Sequence, residues 1–152
     1  MGYPPSSLTI KEYSISYKNE YGNLGYGEDF VHLSELLDQN FAVLVGNNGI
    51  HTLFGHYYDQ TGTGIFNPLA DRKLLEVGSE VILTNNQGLS KGYYITQIIQ
   101  FLHSDQKHQY YGRNYMPDLA YYGNGLDMIY IQYCRWDISL GLLITNIGYR
   151  IW

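Results

Sequence analysis

The chain of 152 residues is divided into short runs rich in β-branched and aromatic side chains, each bounded by a cluster of glycine, asparagine or proline. Such runs predict β-strands, because these side chains pack well on a pleated surface. Seven or eight of them at regular spacing predict a β-barrel or a β-sandwich. Val31–Leu37 is the one segment for which we predict a helix, with Ser34 and Glu35 near its start.

The predicted strands share an apolar or alternating pattern and end at turn residues. They are Leu8–Tyr17, Phe41–Val45, Ile50–Phe54, Glu80–Thr84, Gly92–Ile99, Asp127–Cys134 and Leu140–Thr145. The turn residues of Asn85–Gly88 predict a hairpin between two of these strands. His103–Gly125 is long, polar and rich in tyrosine, which is typical of a functional loop.

Composition excludes several classes of protein. The net charge of −5 and the lack of a Lys/Arg cluster argue against nucleic-acid binding. No run of 18 apolar residues is present, so no membrane-spanning helix is predicted, and the N-terminal residues lack the pattern of a signal peptide. The length predicts a single domain over residues 1–152.

Cys134 is the only cysteine, so it cannot form a disulfide within the chain. It ends a predicted strand in which alternate residues share a face. Ile129, Ile131 and Tyr133 would face the core, while Met128, Tyr130, Gln132 and Cys134 would share a face that borders a cleft. Because a buried structural cysteine is more often surrounded by apolar neighbours, this position favours a reactive thiol.

A thiol that attacks a carbonyl needs a partner to accept its proton. His56 is the best placed of five histidines, between a strand and a glycine-rich turn, whereas His51 lies near the start of that strand. A zinc site is not predicted from one cysteine and scattered histidines, and no cofactor is expected. Calcium binding stays open, since four carboxylates surround one loop: Asp59, Asp71, Glu76 and Glu80.

The order of several motifs resembles the sortase family. Thr52–His56 is an apolar strand that ends in Gly-His, Phe66–Leu69 matches a Phe-x-x-Leu motif, and Leu75–Leu83 is similar to the family's Leu-x-x-Gly-Asp-x-Ile/Val entry into a strand. The hairpin follows in the family's order. The Cys134 strand then occupies the place of a Thr-Leu-x-Thr-Cys motif, with Tyr130 and Tyr133 in place of the threonines. The resemblance runs from about Leu8 to Thr145.

The resemblance implies an eight-stranded β-barrel with one or two short helices and a cysteine transpeptidase activity. Such enzymes cut a sorting-signal peptide, often of the Leu-Pro-x-Thr-Gly type, through a thioacyl intermediate. An amine from a cell-wall precursor or a pilin then resolves that intermediate. By position, Cys134 is the expected nucleophile and His56 the expected general acid and base. The loop at 103–125 is expected where family members build substrate specificity.

The family also places an arginine at the start of the last strand, opposite the cysteine, where this chain reads Ser139–Ile144. Arg135 is the preferred substitute, although it reaches the site only if the strand ends at Cys134 and the chain turns there. Arg150 is the second candidate and would need a turn at Asn146–Gly148. Arg72 and Arg113 lie in other segments.

Two alternatives remain open at this point. One is a sortase-fold protein without transpeptidase activity, which binds peptides or cell-wall material; the missing arginine favours it. The other is an unrelated β-barrel binding module in which the thiol of Cys134 is merely buried. If the resemblance holds, the site is expected to work outside the cytoplasm, facing the cell wall, with a membrane anchor outside this chain.

Overall fold

Eight strands pair into a closed barrel in a computed structural model that describes residues 6–20, 30–47, 50–58, 61–102, 127–135 and 142–152. The strands are β1 (Ser7–Ile10), β2 (Tyr13–Asn19), β3 (Ala42–Asn47), β4 (Ile50–Phe54), β5 (Glu80–Thr84), β6 (Ser90–Leu102), β7 (Met128–Arg135) and β8 (Leu142–Arg150). Two short helices accompany them, α1 (Phe30–Asp38) and α2 (Asn67–Asp71). The predicted mainly-β barrel with one or two helices is confirmed.

The order of strands around the barrel is β1-β2-β3-β4-β7-β8-β6-β5, and β5 closes the ring by pairing with β1. Most neighbours are antiparallel. Two pairs are parallel, β2 with β3 and β4 with β7. The second parallel pair brings together strands that are more than 70 residues apart in the sequence, and it determines where the candidate site forms.

Most of the predicted strands are present, with two differences at the ends of the chain. The predicted opening strand is two strands, because the backbone turns at Lys11, whose φ of 56° is left-handed, before β2 begins at Tyr13. The last strand runs continuously to Arg150 and does not end at Thr145. The loop at 103–125 lies outside the described residues.

The interior of the barrel is filled by inward-facing side chains from every strand. They include Leu8, Ile10, Leu44, Leu53, Val81, Tyr93, Ile95, Ile129 and Ile131. A second cluster lies outside the barrel wall, where Leu33 and Leu37 of α1 pack against Val43, Val45 and Phe54 of β3 and β4. Leu33 and Leu37 are four residues apart and therefore share one face of the helix.

The face prediction for β7 is half correct. Ile129, Ile131 and Tyr133 lie in the barrel core, as predicted. The prediction that the cysteine face borders a cleft is wrong for its described members, since Met128, Tyr130 and Gln132 are at most 2% exposed. The polar Gln132 is accommodated there because its Nε2 donates to Thr145 Oγ1 at 2.7 Å.

Candidate functional site

The register of β4 and β7 brings His56 and Cys134 to the same end of two neighbouring strands. In this parallel pair Phe54 is opposite Gln132, and the Gly55 amide donates to the Gln132 carbonyl at 3.3 Å, one residue beyond the end of β4. His56 and Cys134 each lie two residues beyond that rung. Neighbouring strands are about 4.8 Å apart, so the two backbones reach the same end of the barrel. This end is the edge at which the candidate site lies. The side chain of Cys134 lies outside the described part of the structure.

Gly55 has to be a glycine because of an aromatic ring beneath it. A Cβ at this position would lie 2.7–2.8 Å from three ring atoms of Phe66, which is fully buried in the barrel core. The chain is also bonded at this contact, since the Phe66 amide donates to the His56 carbonyl at 3.1 Å. The close contact between Gly55 and Phe66 holds the backbone in place just before His56.

The segment after His56 is held by the buried side chain of Asn67, which is 2% exposed. Its Oδ1 accepts from the Tyr58 amide at 2.8 Å, and its Nδ2 donates to the Tyr58 carbonyl at 3.1 Å. Asn67 is also the first residue of α2, where Pro68 follows in the first turn. The Phe-x-x-Leu motif therefore anchors the loop that carries the histidine.

The imidazole of His56 contacts a carboxylate that the sequence analysis did not identify. Its Nε2 lies 3.0 Å from Oδ1 of Asp38, the last residue of α1, and its ring lies 5.3 Å from the ring of Tyr58. The side chain of His56 is 29% exposed and that of Asp38 is 70% exposed. The sequence carries one signal for Asp38: it is an acidic residue at a helix C-terminus, where the helix dipole disfavours negative charge.

Packing explains both tyrosines that stand where the family motif has threonines. Tyr133 lies in the barrel core, stacked on Tyr57 with ring centroids 5.7 Å apart and edge-on to Phe66 at 6.5 Å. Tyr130 is fully buried on the other side of β7, and its hydroxyl lies 3.9 Å from the Met128 sulfur. Tyr130 and Tyr133 therefore serve as large buried side chains in the strand that ends near the cysteine.

The ends of β7 and β8 show where the arginine candidates Arg135 and Arg150 lie relative to Cys134. Arg135 is the last residue of β7, so the strand runs one residue past Cys134. The turn that would bring Arg135 to the site falls outside the described residues, so its role stays a prediction. Cys134 and Arg135 are paired with Leu143 and Leu142 of β8, so the position of the family's arginine is occupied by leucine.

Arg150 lies at the opposite end of the barrel from Cys134. The predicted turn at Asn146–Gly148 is absent, because β8 is continuous there, and the guanidinium of Arg150 contacts Asp127 at 3.4 Å. Asp127 precedes β7, so seven residues at about 3.3 Å each separate it from Cys134, about 23 Å along the strand. The alternative that Arg150 serves the site is wrong. Arg72 lies over the ring of Tyr13, and Arg113 is outside the described residues.

Other sequence candidates also lie away from this edge. Asp71 accepts hydrogen bonds from Tyr57 and Asn67, and Glu80 accepts one from Trp152. Within the described residues, which exclude Asp59, no three His, Cys, Asp or Glu side chains converge on a metal position. His32 lies 3.8 Å from Glu20, and His103 and His108 are outside the described part.

His51 belongs to a charged cluster at the far mouth of the barrel. Its Nε2 lies 3.2 Å from Asp127, whose carboxylate also accepts from Tyr93 at 2.7 Å and Lys91 at 3.0 Å. Burial lowers the pKa of His51 more than Asp127 raises it. Burial would raise the pKa of Asp127, but the hydrogen bonds from Tyr93 and Lys91 outweigh it and the pKa is lowered. The cluster stabilises the end of the barrel remote from His56.

No protein-family model and no curated protein matches the sequence. No helix in the described part of the chain is long and apolar enough to cross a membrane.

Solved structures of sortases do match. They include sortase C1 from Streptococcus agalactiae (TM-score 0.57, 14% identity, 96% of this chain and 66% of that chain). Sortase A from Corynebacterium diphtheriae matches with a TM-score of 0.58 and 16% identity over 98% of this chain and 61% of that chain. The Group B Streptococcus pilus island 1 sortase C2 matches with a TM-score of 0.60 and 15% identity, over 96% of this chain and 73% of that chain.

The chain thus spans about two thirds of the length of these structures. They share its barrel over nearly all of its own length, at identities too low to carry more than architecture. The chain has the sortase fold.

Proposed function

We propose that this protein is a cysteine transpeptidase that cleaves a C-terminal sorting signal of the Leu-Pro-x-Thr-Gly type and transfers the acyl group to an amine. The observation that carries the proposal is the parallel register of β4 and β7, in which His56 and Cys134 follow the same rung. This register supports the proposal because it brings a cysteine and a histidine, the residue types of a nucleophile and its proton-transfer partner, to the same end of two neighbouring strands. Residues 1–152 act as one catalytic domain in this proposal.

The reaction has two halves. The Cys134 thiolate attacks the threonine carbonyl of the signal, the peptide bond to glycine breaks, and His56 protonates the leaving amine. His56 then removes a proton from the incoming amine, which attacks the thioester and releases the thiolate. Arg135 is the proposed donor to the oxyanion. Removal of one such donor from an enzyme typically costs about 10²–10³ in kcat, so this residue decides how fast the reaction is.

The proposed partners follow from the same chemistry. The acyl donor is the sorting signal of a surface protein, and the acceptor is an amine of a cell-wall precursor or a pilin. Pilin substrate specificity is named for one structural neighbour, the Streptococcus pneumoniae sortase C, and another is the sortase C2 of a pilus island. The site then works outside the cytoplasm, facing the cell wall.

The second candidate is a sortase-fold protein that binds such peptides without cutting them. It is favoured by one observation: Leu142 and Leu143 of β8 lie opposite Arg135 and Cys134, where the family carries its arginine. Both candidates use the same edge of the barrel, so binding alone does not distinguish them.

Turnover distinguishes them. The protein is incubated with a panel of Leu-Pro-x-Thr-Gly-type peptides and an amine such as oligoglycine, and the products are identified by mass spectrometry. The transpeptidase predicts a cleaved peptide joined to the amine, lost in Cys134→Ala and His56→Ala. Peptide binding without a product across the panel, together with a thiol that iodoacetamide alkylates, supports the binding protein. A thiol that resists alkylation contradicts both the nucleophile role and the transpeptidase.

A further inference from the structure

Asp38 provides the only carboxylate that the described part of the structure brings to the ring of His56. The distance between Asp38 Oδ1 and His56 Nε2 is 3.0 Å, the usual length of an N–H···O hydrogen bond. Because a carboxylate accepts and does not donate, the proton of this bond belongs to Nε2. Nδ1 is then the nitrogen with a free lone pair.

The hydrogen bond between Asp38 and His56 joins α1 to the end of β4, and both elements are anchored in one hydrophobic cluster. Leu37, adjacent to Asp38, is 1% exposed in the cluster between α1 and the barrel wall. Phe54, two residues before His56, is buried in that same cluster. The carboxylate and the imidazole are therefore each one or two residues from side chains that pack in one cluster, which limits their relative movement.

A second set of hydrogen bonds ties the histidine loop to the end of α1. Asn40, with a left-handed φ of 64°, follows the helix. Its Nδ2 donates to the Thr63 carbonyl at 2.9 Å, and its Oδ1 accepts from the Ile65 amide at 2.8 Å. The loop that begins at His56 and returns at Phe66 is thus bonded to the residue two positions beyond Asp38.

The position of Asp38 is unfavourable for the helix itself. It is the last residue of α1, where the aligned peptide dipoles leave partial negative charge and favour lysine or arginine. An exposed carboxylate there does not stabilise the helix. The contact with His56, and not the stability of the helix, accounts for a carboxylate at this position.

We infer that Asp38 is a positioning residue for His56 in the proposed transpeptidase, and that Nδ1 of His56 is the nitrogen that moves the proton. The inference rests on the proposed function and adds a residue to it. Asp38 holds the Nε2 proton and so selects the tautomer whose Nδ1 accepts a proton. It does not itself take up the proton.

Kinetics of the full chain test the role in the reaction. Loss of the carboxylate or carbonyl partner of a metal-bound histidine typically costs about 10–100-fold, and we expect a loss of the same order for the Asp38 partner of His56. Asp38→Ala should lower kcat for acyl transfer by about that factor with KM unchanged, and Asp38→Glu should recover part of it. Glu35→Ala is the matched control, since it removes an exposed carboxylate from the same helix one turn earlier. Equal kcat in Asp38→Ala and Glu35→Ala would overturn the inference.

A spectroscopic readout separates failure of this inference from failure of the proposed function. In a ¹H–¹⁵N spectrum at low temperature, a carboxylate-bonded ring N–H exchanges slowly enough to be seen. The protein should show such a signal from Nε2 of His56, assigned by its loss in His56→Asn. The signal should be absent in Asp38→Ala and present in Glu35→Ala.

The two readouts distinguish all outcomes. If no peptide is turned over but the ring signal depends on Asp38, the proposed activity fails and the positioning contact stands. If the signal is the same in Asp38→Ala, or is absent from the unchanged protein, the contact fails, whatever the activity.

Discussion

The contact between Gly55 and Phe66 makes a sharp prediction for Gly55→Ala. The added Cβ would lie 2.7–2.8 Å from three atoms of the Phe66 ring. That is about 0.7 Å or more inside the normal carbon–carbon separation of about 3.5–4.0 Å. The ring has no room to retreat, because Phe66 is fully buried and packs edge-on against Tyr133. The methyl group must therefore displace either the ring or the backbone that carries His56.

Overpacking of this kind typically costs about 1–3 kcal/mol in the free energy of unfolding. For a chain of 152 residues each kcal/mol corresponds to about 2–4 °C in Tm, so a decrease of about 2–12 °C is expected. Urea unfolding and thermal unfolding followed by circular dichroism measure it. Because the displaced segment carries His56, acyl transfer should decrease as well.

A double-mutant cycle tests the physical reason. Phe66→Leu removes ring atoms and costs stability by itself, since it leaves a cavity. In the double variant the smaller leucine side chain leaves room for the methyl group that Gly55→Ala adds. The cost of Gly55→Ala should therefore shrink by about 0.5–3 kcal/mol, the usual coupling between residues in contact. Additive effects, or a Gly55→Ala variant as stable as the unchanged protein, would refute the steric argument.

Three further predictions concern the rest of the barrel. The pKa of His51 is lowered in the folded protein, so below about pH 6.5 the unfolded chain binds a proton that the folded protein does not. The contribution of His51 to the free energy of unfolding is therefore complete above about pH 6.5 and lost as the pH falls. Urea unfolding should therefore show a smaller difference between pH 7.5 and 5.5 in His51→Asn, and an equal difference would contradict this. Asn67→Ala leaves the Tyr58 amide and carbonyl without their partners, so the free energy of unfolding should fall by about 1–3 kcal/mol, and an unchanged urea midpoint would argue against that anchor. Arg150→Ala removes a contact with Asp127 at the far mouth, so peptide turnover should be unchanged, and a loss of turnover would reopen Arg150 as a site residue.

The strands were predictable from the sequence because local rules determine them. Asn85–Gly88 joins two runs of β-branched and aromatic residues, and the structure has β5 and β6 on either side of it. The helix predicted at Val31–Leu37 is present as Phe30–Asp38, although Ser34 and Glu35 lie in its middle and not near its start. The turn at Lys11 was missed because a non-glycine residue adopts a left-handed φ there, for which the sequence gives little signal.

The site depended on information that local patterns do not contain. His56 and Cys134 lie at the same end of the barrel because β4 and β7 are parallel neighbours, and that pairing is a property of the whole barrel. Asp38 was missed because it reaches His56 from a helix 18 residues upstream. The polarity of Gln132 was taken as evidence of a cleft, whereas in the structure the side chain is buried and its Nε2 donates to Thr145 on the adjacent strand.

The central claim is that Cys134 forms a thioester with a sorting-signal peptide, and trapping that intermediate tests it most directly. The protein is mixed with the peptide without an amine acceptor, quenched in acid, and its intact mass is measured before and after treatment with hydroxylamine. The proposed mechanism predicts a mass increase equal to the peptide up to its threonine, located on Cys134, removed by hydroxylamine, and absent in Cys134→Ala. A peptide that the protein cuts while Cys134 stays unmodified in every quenched sample would contradict the claim.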